Sequence, residues 1–363
     1  MSRTLVIAEA GVNHNGRLDL ALALVDAAAE AGADVVKFQT FSASALTTGA
    51  AAKADYQSER TGAGESQQEM LRRLELDDAA HRAIIARCGQ RGIRFLSTPF
   101  DFLSLGYLVK DLQVDILKLP SGEVTNGPFL LEAARSGRDI ILSTGMAVPE
   151  EIGRALAVLA FGYSAPADAR PDRAALDAAL AGGRGILGAK VTLLHCTTAY
   201  PTPFEDVNLR AMVTLARTFG LPVGYSDHTP GITVPVAAVA LGARVVEKHL
   251  TMDRSLPGPD HAASLEPAEF GAMIRAIRET EAALGSPDKR VAPSEAPNIP
   301  VARKSVVAAR AINQGETFCE DNLALKRPGT GLSPMCYWDL LGLASDRDYQ
   351  PDEAIAWPGG DNE

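Results

Sequence analysis

The chain has 363 residues, of which 46% are hydrophobic and 22% are charged, a composition typical of globular proteins. The net charge of −10 argues against a nucleic-acid partner or an anionic membrane surface, while leaving room for a local basic pocket that binds a phosphate. The four cysteines have neither the spacing of a zinc site nor that of a disulfide framework, so we expect reduced thiols.

The first residues and the hydropathy of the chain predict a cytoplasmic protein. Met1-Ser2-Arg3-Thr4 leads directly into a strand-like run, without the basic and apolar regions of a signal peptide. No apolar stretch approaches the roughly 20 residues that cross a bilayer. We therefore expect neither a membrane nor a nucleic acid as a partner.

Short apolar runs alternate with helical segments over most of the chain. Near-continuous apolar character is typical of strands that are buried on both faces of a parallel sheet. The runs are Leu5–Glu9, Val35–Thr40, Arg94–Thr98, Ile116–Ser121, Ile140–Thr144, Val191–Cys196, Val223–Asp227 and Arg244–His249. The segments with a helical pattern include Leu18–Ala31, Asp78–Arg91 and Pro149–Ala160.

Eight such β/α units predict an α/β fold, a (β/α)₈ TIM barrel, over residues 1–285. A doubly wound open sheet is the structural alternative. It predicts no particular count of eight strands, and no Gly-x-Gly-x-x-Gly motif follows the first strand.

Two regions fall outside the barrel pattern. Residues 163–188 are rich in Ala, Gly, Arg and Pro, which predicts a surface excursion that is partly helical. Residues 286–300 have the composition of a linker, and a small module with β-like runs follows over residues 301–363. About 60 residues make a small core, so we expect this module to dock onto the barrel or onto a partner subunit.

Polar residues gather where the predicted strands end. In a barrel the loops at the carboxyl ends of the strands converge on one mouth, which houses the active site. The residues are Glu9, Lys37, Gln39, Ser97, Thr98, Lys118, Ser121, Glu123, Ser143, Thr144, His195 and Thr197. Their location on one side of the fold predicts an enzyme.

The two lysines of this set, Lys37 and Lys118, together with neighbouring hydroxyl groups suit a phosphate or a carboxylate. Alternatively, each lysine forms half of a buried ion pair with Glu9 or Glu123. These two glutamates are candidate general acid or base groups, or else fixed counter-charges.

Histidines end the last two predicted strands, in Tyr225-Ser226-Asp227-His228-Thr229 and Glu247-Lys248-His249. Two neutral imidazoles that converge on the mouth predict a site for a divalent metal, unless they are unrelated residues at strand ends.

Other histidines and one cysteine have more ordinary interpretations. His261, in the loop Pro257-Gly258-Pro259-Asp260-His261, is either a third metal ligand or a helix cap, and Asp260 could accept hydrogen bonds from sugar hydroxyls. We expect His81 to face solvent on a helix, and Cys196 to be a packed small hydrophobe rather than a catalytic thiol.

Several long motifs resemble those of sialic acid (N-acetylneuraminate) synthases. They are Ile7-Ala8-Glu9-Ala10-Gly11-Val12-Asn13-His14-Asn15-Gly16, Lys37-Phe38-Gln39-Thr40-Phe41, Ser97-Thr98-Pro99-Phe100-Asp101, Pro120-Ser121-Gly122-Glu123, Ser143-Thr144-Gly145-Met146-Ala147 and the two histidine motifs. The tail, with Lys326-Arg327-Pro328-Gly329-Thr330-Gly331, resembles the antifreeze-like (SAF) domain of that family.

The resemblance implies condensation of phosphoenolpyruvate with an N-acetylmannosamine-type aldose, with release of phosphate, in a domain-swapped homodimer. By this resemblance His228 and His249 bind a divalent ion, usually Mn²⁺, with Mg²⁺ or Co²⁺ as alternatives. The positions that match phosphoenolpyruvate contacts are Lys37, Thr98, Lys118, Ser121, Ser143, Thr197 and Ser226. Those that match sugar contacts are Gln39, Glu123, Tyr200, Asp260 and Arg327, the last reaching the partner subunit's sugar site.

One motif departs from the family pattern. The family usually has His-Cys-Asn-Thr-Glu-Tyr-Pro where this chain has His195-Cys196-Thr197-Thr198-Ala199-Tyr200-Pro201. We therefore expect N-acetylneuraminate as the first product to test and legionaminic or pseudaminic acid, made from a diacetamido-trideoxy hexose, as the alternative. A pyruvate-dependent aldolase and an inactive sugar-binding scaffold are the remote alternatives.

Overall fold

The computed structural model describes residues 3–62 and 64–360 of the chain. The chain divides into two compact units, Met1–Gly285 and Ser286–Glu363. No helix of the described part is both long enough and apolar enough to cross a membrane.

Parallel strands form the centre of the first unit. The strands are Leu5–Gly11 (β1), Val35–Thr40 (β2), Arg94–Pro99 (β3), Ile116–Leu119 (β4), Asp139–Ser143 (β5), Val191–Cys196 (β6), Val223–Asp227 (β7) and Val245–His249 (β8). They are hydrogen-bonded in the order β3-β2-β1-β8-β7-β6-β5-β4, and β3 also lies beside β4, so that the sheet curves into a nearly closed barrel. The predicted barrel fold is confirmed.

Helices surround this barrel. They are Leu18–Ala31 (α1), Ala43–Leu46 (α2), Asp55–Thr61 (α3), Gln67–Arg72 (α4), Asp78–Arg91 (α5), Phe102–Lys110 (α6), Gly127–Arg135 (α7), Pro149–Ser164 (α8), Arg173–Gly182 (α9), Arg184–Lys190 (α10), Arg210–Phe219 (α11), Thr233–Ala240 (α12) and Pro267–Leu284 (α13).

Local sequence signals explain where the long helices begin and end. The Asp77 side chain accepts a hydrogen bond from the Ala80 amide at 2.8 Å and caps the start of α5. Gly32 ends α1 in the left-handed region, at φ 88°, where a side chain would be strained. Both helices have the bounds that the sequence pattern predicts.

The prediction that His81 faces solvent is wrong. This residue of α5 is 1% exposed, and its imidazole bridges two groups. Nδ1 lies 2.9 Å from the Asp77 carbonyl, which can only accept a hydrogen bond, so Nε2 accepts from the Thr40 hydroxyl at 3.0 Å. Hydrogen bonds of His81 therefore link α5 to the end of β2.

A long excursion joins β2 to α5 over residues 43–77, and it contains α2, α3 and α4. Connections of this kind are commonly about two to six residues long, and longer ones often carry function. Three of its leucines belong to a hydrophobic cluster, distinct from the main core, that also contains residues of the loops after β1, β2 and β3. The members of this cluster are Val12, Phe41 and Leu74, with Leu46, Leu71 and Phe100 packed against them.

The insertion at residues 163–188 is partly helical, as predicted, since it contains α9 and most of α10. Both helices pack against α8 on the outside of the barrel. The insertion therefore thickens one side of the helical layer.

The second unit contains Ile299–Ala302 (α14), Ser305–Ala308 (β9), Leu323–Lys326 (β10) and Tyr337–Leu340 (α15). β9 and β10 pair antiparallel, with Ser305 opposite Lys326. Val306, Phe318 and Tyr349 belong to a hydrophobic core within this unit, although the unit is small.

Candidate active site

A cavity of about 450 Å³ opens at the carboxyl ends of the barrel strands. This volume lies within the range of about 300–1,000 Å³ that is common for small-molecule sites. The predicted site residues that line it are Glu9, Lys37, Gln39, Thr98, Lys118, Ser121, Ser143, Tyr200, Ser226, His228, His249 and Asp260.

Two of the predicted site residues of the barrel unit do not line this cavity, and a third belongs to the second unit. The hydroxyl of Thr197 donates to the Asp206 carbonyl at 3.1 Å, and it is Thr198 that lines the cavity. Glu123 is half-buried beside the cavity and accepts a hydrogen bond from Asn126 at 2.6 Å. Arg327 belongs to the second unit, where its Nε donates to the Ala302 carbonyl.

Two lysines and two glutamates form a buried network of alternating charge at the base of the cavity. Lys37 Nζ lies 2.5 Å from Glu9 Oε2 and 3.0 Å from Thr98 Oγ1. Glu247 Oε1 lies 3.3 Å from Lys118 Nζ and 3.8 Å from Lys37 Nζ. Lys118 therefore pairs with Glu247 rather than with Glu9 or Glu123. Burial of so many charges costs stability, which favours a functional role for the network.

The protonation of this network follows from burial and from the facing charges. Burial lowers the pKa of Lys118, and Glu247 opposes that effect. Burial raises the pKa of Glu9 even though Lys37 faces it. Burial acts the same way on Glu247, but Lys118 and Lys37 outweigh it and lower the pKa of that carboxyl. Glu9 is thus the carboxyl of the network whose pKa is raised, which suits a group that exchanges a proton.

Hydroxyl groups and a backbone amide complete this part of the cavity. Ser143 Oγ is buried and has no hydrogen-bond partner among the described residues, so it can donate to a bound ligand. The Gly145 amide donates to Ser121 Oγ at 2.9 Å, and Cys196 Sγ lies 3.2 Å from the same oxygen. A Cβ at Gly145 would come within 2.5 Å of Thr198 Oγ1, so only glycine permits this approach.

Side chains on β7 and β8 alternate between the cavity and the outer face of the barrel. Ser226 is in register with Glu247, and its hydroxyl donates to Glu247 Oε1 at 3.1 Å inside the barrel. The next pair in register is Asp227 with Lys248, which forms an ion pair on the outer face. The pattern follows from the two-residue period of a strand.

His228 and His249 then face the cavity together, with ring centroids 5.4 Å apart. Burial lowers the pKa of His228 to about 4 and holds the pKa of His249 well below its usual range, so both rings are neutral at pH 7. His228 Nδ1 donates to the Thr197 carbonyl at 2.8 Å, which leaves a lone pair on Nε2. His249 Nδ1 has no hydrogen-bond partner among the described residues.

The two imidazoles fit a divalent metal. The described residues contain no group of three or more His, Cys, Asp and Glu side chains arranged to hold an ion. A metal at this pair would therefore have two protein ligands, one fewer than a catalytic zinc site usually has, and would take the others from water or substrate.

His261 has a structural role in the loop that follows β8. Its Nδ1 is 2.7 Å from Thr251 Oγ1 and its Nε2 is 3.2 Å from Asn15 Oδ1, so both ring nitrogens are occupied. The neighbouring Asp260 lies in the cavity, 3.9 Å from His249 Nδ1. Burial, reinforced by Glu9, raises the pKa of Asp260 to about 7.

Sequence reasoning missed Glu247 as a member of the site. Its position two residues before His249 in the same strand was the available signal, because alternate residues of a strand share a face. It also missed the wall that the excursion contributes, which is formed in part by Leu46, Met70 and Leu71.

The fold and this cavity define a (β/α)₈-barrel enzyme with its polar site at the carboxyl ends of the strands. Residues 24–289 match the model of the NeuB family, and residues 303–359 match that of the SAF domain. The chain therefore belongs to the NeuB family, whose members among its relatives are synthases of the sialic acid type.

Individual relatives cover nearly the whole chain. The N,N'-diacetyllegionaminic acid synthase of Campylobacter jejuni is 47% identical, over 98% of this chain and 99% of the relative. The N,N'-diacetyllegionaminic acid synthase of Legionella pneumophila is 42% identical, over 97% of this chain and 93% of the relative. The crystal structure of the N-acetylneuraminic acid synthetase from Leptospira borgpetersenii has a TM-score of 0.66 and 32% identity, and the match covers 82% of this chain and 90% of that one.

These relatives confirm the resemblance of the sequence motifs to those of sialic acid synthases. They also fit the alternative expectation, a legionaminic acid synthase, better than the first, an N-acetylneuraminate synthase. Both legionaminic acid synthases are more similar to this chain than the human N-acetylneuraminate-9-phosphate synthase, which is 34% identical.

Proposed function

We propose that this protein condenses phosphoenolpyruvate with 2,4-diacetamido-2,4,6-trideoxymannose and water to give N,N'-diacetyllegionaminic acid and phosphate. The observation that carries the proposal is the 47% identity to a legionaminic acid synthase over nearly the full length of both chains. The charged base of the cavity supports the phosphoenolpyruvate half of the reaction.

The lysines and hydroxyls at the base of the cavity would hold phosphoenolpyruvate. Lys37 and Lys118 would offset the charge of its phosphate and carboxylate, which they can do without reorganising because the barrel already fixes them. The neutral donors would be Thr98, Ser121, Ser143, Thr198 and Ser226, with Thr198 in place of the expected Thr197.

The aldose would bind in its open-chain form, facing Gln39, Tyr200 and Asp260, with Glu123 beside them. The new bond joins the methylene carbon of phosphoenolpyruvate to the aldehyde carbon. Water then adds to the former enol carbon, and Glu9, whose pKa is raised by burial, would accept its proton. Phosphate then leaves by cleavage of its bond to that carbon while the added hydroxyl loses its proton and becomes the keto oxygen, and the former aldehyde oxygen takes up a proton to become a hydroxyl.

His228 and His249 would hold a divalent ion, with Mn²⁺ as the first candidate. When bound, such an ion supplies Lewis-acid polarisation of the aldehyde oxygen. The Thr197 carbonyl fixes the tautomer of His228 that this role requires.

The proposal also includes a homodimer in the cytoplasm, in which the tail serves the active site of the partner subunit through Arg327. This part rests on the resemblance of Lys326-Arg327-Pro328-Gly329 to the family's antifreeze-like domain and on the match of residues 303–359 to the SAF model.

The test is phosphate release from phosphoenolpyruvate in the presence of Mn²⁺, with either the diacetamido-trideoxy sugar or N-acetylmannosamine as the acceptor. We expect a higher kcat/KM with the diacetamido sugar. Preference for N-acetylmannosamine would instead make the enzyme an N-acetylneuraminate synthase. Absence of phosphate release with both sugars would overturn the synthase proposal and return the pyruvate-dependent aldolase and the inactive scaffold to consideration.

A further inference from the structure

One part of the cavity is apolar, in contrast to its charged base. The excursion and the end of β2 line this part with Phe41, Leu46, Met70, Leu71 and Leu74. We call these five side chains the apolar wall. Phe41 and Leu74 are 7% exposed and Met70 is 1% exposed, whereas Leu46 and Leu71 are partly exposed.

The apolar wall is not an extension of the barrel core. Phe41, Leu46, Leu71 and Leu74 belong to the separate cluster built around the excursion. An excursion of 35 residues whose leucines cluster with the loops after β1, β2 and β3 beside the cavity has the character of a binding element, because connections of this length often carry function.

Neither phosphoenolpyruvate nor an unmodified aldose would match this wall. Phosphoenolpyruvate carries a phosphate and a carboxylate, and a simple sugar carries hydroxyl groups that lose hydrogen bonds to water when they meet apolar side chains. The largest apolar groups that a carbohydrate can offer, beyond its C–H groups, are methyl groups, either of an N-acyl substituent or of a deoxy carbon.

Neutral amides lie beside the apolar wall. Gln57 and Gln67 both line the cavity, and Gln67 Nε2 donates to Gln57 Oε1 at 3.4 Å. Gln57 Oε1 also accepts from the Ala54 amide at 3.1 Å, which fixes the side chain. Amide groups next to the apolar wall complement an acetamido group, which has a peptide-like unit at one end and a methyl group at the other.

We propose that the apolar wall is the subsite that reads the acetamido methyl and the deoxy methyl at the end of the aldose remote from the aldehyde. This inference rests on the proposed function and assigns the substrate preference to residues of the excursion, chiefly Leu46 and Leu71. Contact with these methyl groups favours a diacetamido-trideoxy sugar over a sugar with hydroxyl groups at the same carbons.

Leu46→Ser and Leu71→Ser test this inference, because both side chains are partly exposed and tolerate a polar replacement better than the buried Met70. We expect each variant to lower the ratio of kcat/KM for the diacetamido sugar to that for N-acetylmannosamine by about tenfold. Leu46→Ile, which keeps an apolar side chain, should retain the wild-type ratio. Leu241→Ser is the matched control, because Leu241 is 45% exposed directly after α12, and it should leave the ratio unchanged. An equal loss with both sugars would overturn the inference.

Saturation-transfer difference NMR on the same variants separates the subsite from the reaction. With the diacetamido sugar and wild-type protein, we expect the strongest saturation at the 4-acetamido and C6 methyl protons, and a selective loss in Leu46→Ser. Uniform saturation along the sugar, or no binding, would overturn the subsite whatever the turnover. Selective methyl saturation without phosphate release would support the subsite and overturn the proposed reaction.

Discussion

Lys248 Nζ lies 2.5 Å from Asp227 Oδ2 on the outer face of the barrel, and neither side chain is exposed to solvent. Lys248 also donates to the Thr229 carbonyl, and Asp227 accepts from the Thr229 hydroxyl at 2.9 Å. Asp227 immediately precedes His228 and Lys248 immediately precedes His249, so this ion pair joins the two strands directly behind the histidine pair.

Removing one partner of this pair should destabilise the protein strongly. Asp227→Asn or Lys248→Met leaves a buried charge without its partner, and we expect a loss of about 3–5 kcal/mol in the free energy of unfolding, measured with urea. The double variant should lose less than the sum of the two. Arg82→Ala, which removes an exposed pair with Asp78, is the control and should have little effect. Additive losses would show that the pair is not coupled.

His249→Ala should abolish metal-dependent turnover, because one of the two proposed protein ligands would be lost. We expect the affinity for Mn²⁺, measured by calorimetry, to fall by more than the about 10- to 100-fold that is typical when a group hydrogen-bonded to a metal ligand is removed. His261→Gln should retain Mn²⁺ binding, since both of its ring nitrogens serve the loop. Wild-type-like turnover in His249→Ala would refute the metal site.

Lys118→Met should weaken phosphoenolpyruvate binding. Loss of a charge-assisted hydrogen bond commonly costs about 1.5–3 kcal/mol, so we expect the KM for phosphoenolpyruvate to rise by about 10- to 100-fold. Lys190→Met removes a lysine that pairs with Asp139 outside the cavity and serves as the control. An unchanged KM in Lys118→Met would place the phosphate elsewhere.

Stability should fall in mildly acidic solution. Burial lowers the pKa of each of the six histidines, and that of His14, His228 and His261 to about 4. Below pH 6.5 the unfolded chain binds protons at these histidines that the folded chain does not bind until about pH 4, so the contribution of the histidines to stability is full above pH 6.5 and declines between these values. Asp260, whose pKa is raised to about 7, acts in the opposite direction.

Urea unfolding of the metal-free protein at several pH values measures this decline. His14→Asn removes one of the titrating groups and should flatten the dependence on pH, whatever it does to the stability at pH 7. A wild-type stability that stays constant from pH 7 to pH 5 would contradict the buried, neutral state of the histidines.

Mixing two variants, at a phosphoenolpyruvate concentration well below the raised KM of Lys118→Met, tests whether Arg327 acts in the partner subunit. Arg327→Ala and Lys118→Met should each have low activity alone. If the arginine serves the partner's site, subunit exchange should restore about a quarter of the wild-type activity, because half of the dimers are mixed and each has one intact site. No recovery after verified exchange would mean that each chain supplies its own arginine, or that position 327 has another role.

The barrel was predictable because its strands are continuous apolar runs that end in polar clusters, as at Lys37 and Lys118. The two-residue period of β8 could also have placed Glu247 beside His249. The environment of His81 was not predictable, because it depends on Phe95 and Tyr107, which come from other elements. The excursion was missed for a related reason: its helices have four to seven residues, too few to show a period.

If the apolar wall selects the sugar as proposed, the separation of its cluster from the barrel core would make specificity modular. Replacing residues 43–76 by the corresponding segment of a synthase with another aldose would alter one end of the cavity without disturbing the registers of β7 and β8. The barrel strands could then keep one condensation chemistry while an exchangeable segment selects the sugar that enters it.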